Sequence, residues 1–195
     1  EFSPSLGSHR GREVMRPFKA TNIVLALLCA MYFITYVDRV NLSAAAGFIQ
    51  DEFGVTNTDL GVIFSAFGWA YLMMQLSGAW VGDHFGPRRV LVVCGIIWAG
   101  ATLLTGFTWT LTALFAVRLL LGIGEGATFP TATRAMRTWL PPSRYGFGQG
   151  ITHSFSRLGS TVTPPIIFFL IAYVGWRGSF VVVGFVSLVW VVLWG

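Results

Sequence analysis

The fold is decided by the stretch Arg118-Leu-Leu-Leu-Gly-Ile-Gly-Glu-Gly-Ala-Thr-Phe-Pro130. It lies inside an apolar segment, residues 111–139, that is long enough to cross a bilayer at about 1.5 Å per helical residue. Arg118, Gly122 and Glu125 are spaced by four and then three residues, so they share one helix face. An ionisable side chain at membrane depth costs about 2.5–3.5 kcal/mol on insertion scales, so it is expected to face a partner or a polar cavity.

Three glycines surround the acid in this stretch. Gly122, Gly124 and Gly126 leave room for another helix or a ligand to approach the backbone. Two interpretations stay open at this point, a structural ion pair that joins helices and a polar site inside a transporter. We favour the polar site.

The composition is that of a membrane protein. Of 195 residues, 54% are hydrophobic and only 11% are charged, whereas a soluble domain carries about 25% charged residues. The formal net charge of +5 could indicate a nucleic-acid partner, but the basic residues lie in short joints between apolar runs, which excludes that interpretation. Cys29 and Cys94 lie within apolar runs and form neither a metal-ligand nor a disulfide pattern.

Six apolar runs predict six transmembrane helices, and none has the alternating pattern of a barrel strand. They cover approximately residues 20–48, 60–81, 90–107, 111–139, 147–174 and 176–194. The polar residues Glu1–Val14 precede Met15 and are interpreted as a leader or cloning remnant, which leaves residues 15–195 as the helical bundle. A cleaved signal peptide is disfavoured because the first run is long and is interrupted by Asp38-Arg39.

The basic residues in the joints predict the orientation. Nine lie on one side and only Arg177 lies on the other, where Asp51, Glu52 and Asp59 are found. The nine are Arg10, Arg12, Arg16, Lys19, Arg88, Arg89, Arg134, Arg137 and Arg144. The positive-inside rule therefore places the N-terminus in the cytoplasm, with the chain in the cell (inner) membrane.

The joint after the second run carries the first specific resemblance. It reads Gly78-Ala-Trp-Val-Gly-Asp-His-Phe-Gly-Pro-Arg-Arg89, and an acid at a helix end beside a basic glycine turn can latch helices together. The joint resembles the gating-loop signature of the major facilitator superfamily. The residues that match are Asp83, Gly86, Arg88 and Arg89. Ala79 stands where the signature has its first glycine, and His84 stands where a basic residue is usual.

Two further stretches narrow the resemblance. Residues 36–43 (Tyr-Val-Asp-Arg-Val-Asn-Leu-Ser) and 64–71 (Phe-Ser-Ala-Phe-Gly-Trp-Ala-Tyr), with the stretch 118–130, resemble the anion:cation symporter family within that superfamily. The resemblance implies an all-α membrane fold of twelve spans in two six-helix halves. This chain would supply the first half, and its partner would be the missing C-terminal six-helix half. The implied substrate is a small organic anion, such as a sugar acid or aromatic carboxylate, moved with protons or with sodium.

The resemblance also implies roles for individual residues. Those implied to bind substrate are Tyr36, Arg39, Tyr71 and Arg118, and those implied to couple protons are Asp38 and Glu125. The chemistry agrees, because a guanidinium is a rigid two-pronged donor for a carboxylate. Two helix turns, about 10.5 Å of rise, separate Arg118 from Glu125, so each is expected to find a partner on the first span.

No enzyme signature accompanies these motifs. There is no His-Glu-x-x-His, no Gly-x-Ser-x-Gly and no phosphate-binding loop, so we expect a transporter and not an enzyme, with no cofactor beyond the coupling ion. The alternative is a transporter-like receptor that binds an anion without moving it. His153 and Arg157 lie four residues apart in the fifth run, and their sequence leaves packing and site roles equally open.

Overall fold

The computed structural model describes residues 18–195, which form a bundle of helices. The helices are α1 (Phe18–Phe53), α2 (Asn57–Phe85), α3 (Pro87–Thr105), α4 (Leu111–Gly126), α5 (Thr128–Trp139) and α6 (Tyr145–Trp194). A short 3-10 turn at Pro142–Arg144 leads into α6. The leader predicted at residues 1–14 lies outside the described residues, as do the first residues of the predicted bundle.

The described helices account for six membrane crossings. Five segments are long and apolar enough to span a membrane, and one of them, Leu111–Trp139, combines α4 and α5. Helix α6 contributes two crossings, because Gly175 leaves the helical region with φ 70° and ψ 171°. We call residues 145–174 the first arm of α6 and residues 176–194 its second arm. The second arm rises about 28 Å, enough to cross the hydrocarbon core. The predicted all-α membrane fold with six spans is confirmed.

The second arm of α6 runs antiparallel to α1. At its start, the Trp176 indole donates to the Glu52 carboxylate at 2.7 Å, near the end of α1. Near its own end, the Trp190 indole donates to the Leu27 carbonyl at 2.7 Å, close to the beginning of α1. The first arm runs parallel to α1, since Gly148 lies near Leu25 and Gly159 lies near Phe33, so the chain reverses at Gly175.

The joint between α1 and α2 is shorter than the sequence predicts. The apolar pattern fades at about residue 48, but α1 continues through Asp51 and Glu52 because polar residues extend a helix readily once it leaves the apolar layer. Gly54 then ends the helix with φ 64°. Thr56 and Asp59 begin α2 with a reciprocal capping box, in which the Thr56 amide donates to the Asp59 carboxylate at 2.9 Å.

Two apolar clusters fill the bundle at different depths. One cluster contains residues from the first half of α1, such as Leu28, together with Leu121 of α4. The other contains residues from the second half of α1, such as Ile49, together with Leu114 of α4. Asp38 and Arg39 fall between these two clusters along α1, and Arg118 falls between them along α4. Glu125 lies one turn beyond Leu121, where Arg39 reaches it, so the fold gathers all four charges in one polar layer inside the bundle.

The glycines of α4 serve helix packing. A Cβ atom on Gly122 would lie 2.5 Å from the Phe67 carbonyl oxygen, and one on Gly126 would lie 2.6 Å from the Tyr71 carbonyl oxygen, both in α2. A Cβ atom on Gly124 would lie 2.7 Å from a backbone nitrogen of α3. The sequence left open whether a helix or a ligand approaches these glycines. In the structure, helices α2 and α3 do so.

Gly122→Ala is expected to destabilise the chain by about 1–3 kcal/mol, because the new methyl group would push α2 and α4 apart. Thermal unfolding in detergent measures the effect as a lower melting temperature. The matched control is Gly100→Ala, since nothing lies within 4 Å of a Cβ atom there and alanine favours the helix. Equal melting temperatures for the two variants would contradict the packing role.

Candidate functional site

An ion pair between α1 and α4 forms the centre of the site. The Arg39 Nε atom lies 2.7 Å from Oε2 of Glu125. The Glu125 side chain is 0% exposed, whereas the Arg39 side chain is 22% exposed. The sequence predicts a partner for Glu125 on the first span, and the structure shows that this partner is Arg39.

Four aromatic rings surround the Arg39 guanidinium. Their centroids lie between 4.6 and 5.4 Å from the Arg39 Cζ atom, within the range of cation–π attraction. The rings are those of Tyr36, Phe67, Tyr71 and Phe129. They hold the cation in position, and 22% of the Arg39 side chain stays exposed.

The second acid and the second arginine lie deeper in the bundle. Asp38 is buried and accepts hydrogen bonds from Thr102 of α3 at 2.9 Å and from Ser187 of α6 at 3.4 Å. Arg118 is 2% exposed, its Cζ atom lies 5.3 Å from the centroid of the Phe180 ring, and it interacts electrostatically with both buried acids. The four central charges, Asp38, Arg39, Arg118 and Glu125, sum to zero.

Some hydrogen-bonding atoms of this layer have no partner among the described residues. They include Nη2 of Arg39, Oε1 of Glu125, and both Nε and Nη2 of Arg118. A buried polar atom without a partner is costly, so the layer can accept a further polar group or a proton without losing existing bonds.

A cavity of about 450 Å³ adjoins the ion pair. It is lined by Tyr32, Tyr36, Tyr71, Gln75, Phe129, Pro130, Thr133 and His153. Tyr36, Tyr71 and Phe129 also surround Arg39, so the cavity and the ion pair share a wall. Aromatic surfaces with a few polar groups are typical of small-molecule sites.

The predicted gating loop joins α2 to α3. Asp83 at the end of α2 forms an ion pair with Arg134 of α5, with 2.8 Å between Oδ1 and Nη1. Gly86 has φ 81°, a left-handed conformation that favours glycine. Arg88 contacts the end of α6 twice: its carbonyl accepts a hydrogen bond from the Trp194 indole at 3.3 Å, and its guanidinium donates to the Gly195 carbonyl. Arg89 is exposed. The loop thus connects helix ends, and its gating role stays a prediction.

Sequence reasoning missed one of the rings around Arg39, Phe67, and part of the cavity wall. Phe67 lies four residues before Tyr71, and Phe129 lies at the end of the stretch around Glu125, so helical spacing to known site residues could have indicated both. Tyr32 lies four residues before Tyr36 and could have been found in the same way. His153 was noticed but not assigned, and the structure places it in the cavity wall.

Known proteins resemble the chain over nearly its whole length. It is 51% identical over 176 residues to the probable sulfoacetate transporter SauU of Cupriavidus necator, covering 90% of this chain and 41% of that protein. It is 32% identical over 179 residues to the D-galactonate transporter of Escherichia coli O6:H1, covering 92% and 42%. The chain thus spans about two-fifths of the length of these relatives.

A solved structure gives the same fold. The crystal structure of a bacterial homologue of the human lysosomal transporter Spinster, in an inward-facing and unoccupied conformation, superimposes with a TM-score of 0.78 at 20% identity. The match covers 91% of this chain and 44% of that one. The family model of the Major Facilitator Superfamily matches residues 28–195, most of the chain. The predicted membership is confirmed, and the chain belongs to the Major Facilitator Superfamily.

Proposed function

We propose that the chain forms the amino-terminal half of a secondary active transporter, not an enzyme, which moves a small organic anion across the cell (inner) membrane. The relatives named above are transporters of organic anions, and they are more than twice as long as this chain. The second half of the cavity would come from a C-terminal six-helix half. The proton is the proposed coupling ion, with sodium as the alternative.

The observation that carries this proposal is the exposure difference within the central ion pair. Arg39 lies against three of the rings that line the cavity, and its side chain is 22% exposed, while Glu125 beside it is fully enclosed. An anion entering the cavity would therefore meet the arginine first. Tyr36 and Tyr71 would offer hydroxyl groups beside it, because both line the cavity and flank Arg39.

The same geometry provides a coupling mechanism. When the anion engages Arg39, the bond between Arg39 and Glu125 weakens. Among the described residues, Arg39 is the only cation at hydrogen-bonding distance from Glu125. Removing one partner from a buried pair costs about 3–5 kcal/mol because a buried charge is left uncompensated. A proton on Glu125 would remove that charge, so anion binding favours proton uptake.

Arg118 and Asp38 complete the proposed site from behind. Asp38 is held by two hydroxyl groups and balances Arg118 in the enclosed layer. Asp38 is the alternative proton acceptor in this proposal. Direct contact between Arg118 and the anion would require the site to open further, since its side chain is buried.

Counterflow in proteoliposomes that contain the complete transporter tests the proposal. Labelled sulfoacetate is added outside vesicles preloaded with unlabelled sulfoacetate, and a transporter exchanges the two without any ion gradient. A receptor would bind the label at the surface without accumulating it in the lumen. Absence of exchange for sulfoacetate and galactonate alike would contradict the proposed function.

Labelling with a membrane-impermeant thiol reagent tests the proposed orientation. Thr58 lies exposed in the first turn of α2, so Thr58→Cys is expected to react from outside intact cells. Ser143, exposed at the opposite end of the bundle before α6, supplies the control variant Ser143→Cys, which should react only after permeabilisation. Both native cysteines are buried and contribute little background. The reverse pattern would invert the topology.

A further inference from the structure

Polar side chains follow one another along the first arm of α6. They occur every fourth residue and are Gln149, His153, Arg157 and Thr161. Residues four apart are neighbours on a helix surface, so the four form a continuous polar stripe. Large apolar side chains, such as those of Phe155 and Leu158, occupy other exposed positions of the same arm.

Two contacts place this stripe beside the cavity next to Arg39. The His153 ring lines that cavity and packs edge-on against Tyr32, with 5.4 Å between the ring centroids. The Gln149 side-chain amide donates to the Thr133 hydroxyl at 3.1 Å, and Thr133 also lines the cavity. The stripe therefore leaves the cavity wall and continues one turn further to Arg157.

Arg157 lies deep within the span. Along the first arm it is about 18 Å from Tyr145 and about 26 Å from Val174. Two residues later, Gly159 packs against α1 so closely that a Cβ atom there would lie 2.8 Å from the Phe33 carbonyl oxygen and 3.4 Å from the Tyr36 Cβ atom. Arg157 is thus at the depth of the cavity and not at the membrane surface.

The charge of Arg157 is unbalanced within the described part of the chain. Arg157 is exposed, and no carboxylate of residues 18–195 forms an ion pair with it. The four central charges already sum to zero, so Arg157 leaves one excess positive charge at this depth. A guanidinium is disfavoured in lipid, which indicates that it faces a polar cavity and a negative group.

We propose that Arg157, assisted by His153, forms a second anion-binding subsite. It would take the second acidic group, such as a sulfonate, of a small dianion whose carboxylate is held at Arg39. This inference rests on the proposed function and deepens it by assigning a dianionic substrate. A dianion that enters with one proton carries a net charge of −1, which the excess charge of Arg157 neutralises. The guanidinium fork matches the oxygens of a sulfonate.

Binding of two nearly isosteric ligands to the purified complete transporter tests the subsite. Sulfoacetate carries a carboxylate and a sulfonate, whereas methylsulfonylacetate replaces the sulfonate with an uncharged sulfone. Arg157→Gln is expected to weaken sulfoacetate binding about 10- to 100-fold and to change methylsulfonylacetate binding by less than about threefold. Retained binding of methylsulfonylacetate also shows that the variant is folded.

Two controls separate this inference from the proposed function. Ser154 lies on the same arm, and its hydroxyl donates a hydrogen bond to the Gly150 carbonyl of its own helix. The control variant Ser154→Ala should therefore bind both ligands as the wild type does. Arg39→Gln should weaken the binding of both ligands, since Arg39 is proposed to bind the carboxylate that they share. Equal losses for both ligands in Arg157→Gln, or no loss for either, would overturn the subsite alone. Failure of the wild type to bind either ligand would overturn the proposed function and the subsite with it.

Discussion

Glu125→Gln is expected to exchange substrate normally but to lose its proton-driven accumulation. Glutamine mimics the protonated acid, so Arg39 is freed for the anion while no proton can bind. With one proton per cycle and the membrane potential clamped at zero, a gradient of one pH unit supports an accumulation of about tenfold in the wild type. The variant should reach a ratio of about one. Uptake into proteoliposomes with and without the gradient measures both values.

Asp38→Asn is the comparison for this prediction. Asp38 is buried like Glu125 but accepts its hydrogen bonds from Thr102 and Ser187, whereas Glu125 is bonded to Arg39. Its variant should keep some proton-driven uptake. If Glu125→Gln still accumulated substrate at the wild-type level, the coupling role of Glu125 would be abandoned, and Asp38 would become the sole candidate among the residues proposed here.

Arg39→Lys is expected to lower anion affinity about 10- to 100-fold although the charge is retained. Lysine lacks the planar fork that donates two bonds to one carboxylate, and its ammonium group is a weaker match for the four surrounding rings. Equilibrium binding of labelled sulfoacetate to the purified complete transporter measures the loss.

The matched control is Arg137→Lys, because Arg137 is exposed in the last turn of α5, away from the cavity. It should bind sulfoacetate as the wild type does. Wild-type affinity in Arg39→Lys would show that the anion is held elsewhere. Arg118, the other arginine implied by the family resemblance, would then be tested by the same exchange to lysine.

The sequence predicts the spans well because each is decided locally. Runs of apolar residues define the crossings, and Gly175 separates two of them in the sequence as it does in the structure. The break at Ala127 between α4 and α5 was not predicted, since the stretch stays apolar across it. The end of α1 was also not predicted, because polar residues continue the helix beyond the apolar layer.

The candidate site is only partly predictable, since helical spacing gives a face but not the neighbour that covers it. The pairing of Glu125 with Arg39 followed from charge complementarity between two spans. The spacing does not show that α2, and not a ligand, packs against Gly122, because the neighbour of Gly122 depends on how the helices are arranged. The enclosure of Arg118 also depends on a residue of the last crossing, Phe180, far away in the sequence.

The most direct test of the coupled site is to measure proton uptake when the anion binds. Sulfoacetate is added to the purified complete transporter in weakly buffered detergent solution, and the pH change is compared with the amount of anion bound. The displacement of Arg39 from Glu125 predicts uptake of about one proton per bound anion in the wild type and none in Glu125→Gln. Saturating anion binding without proton uptake by the wild type would contradict the account.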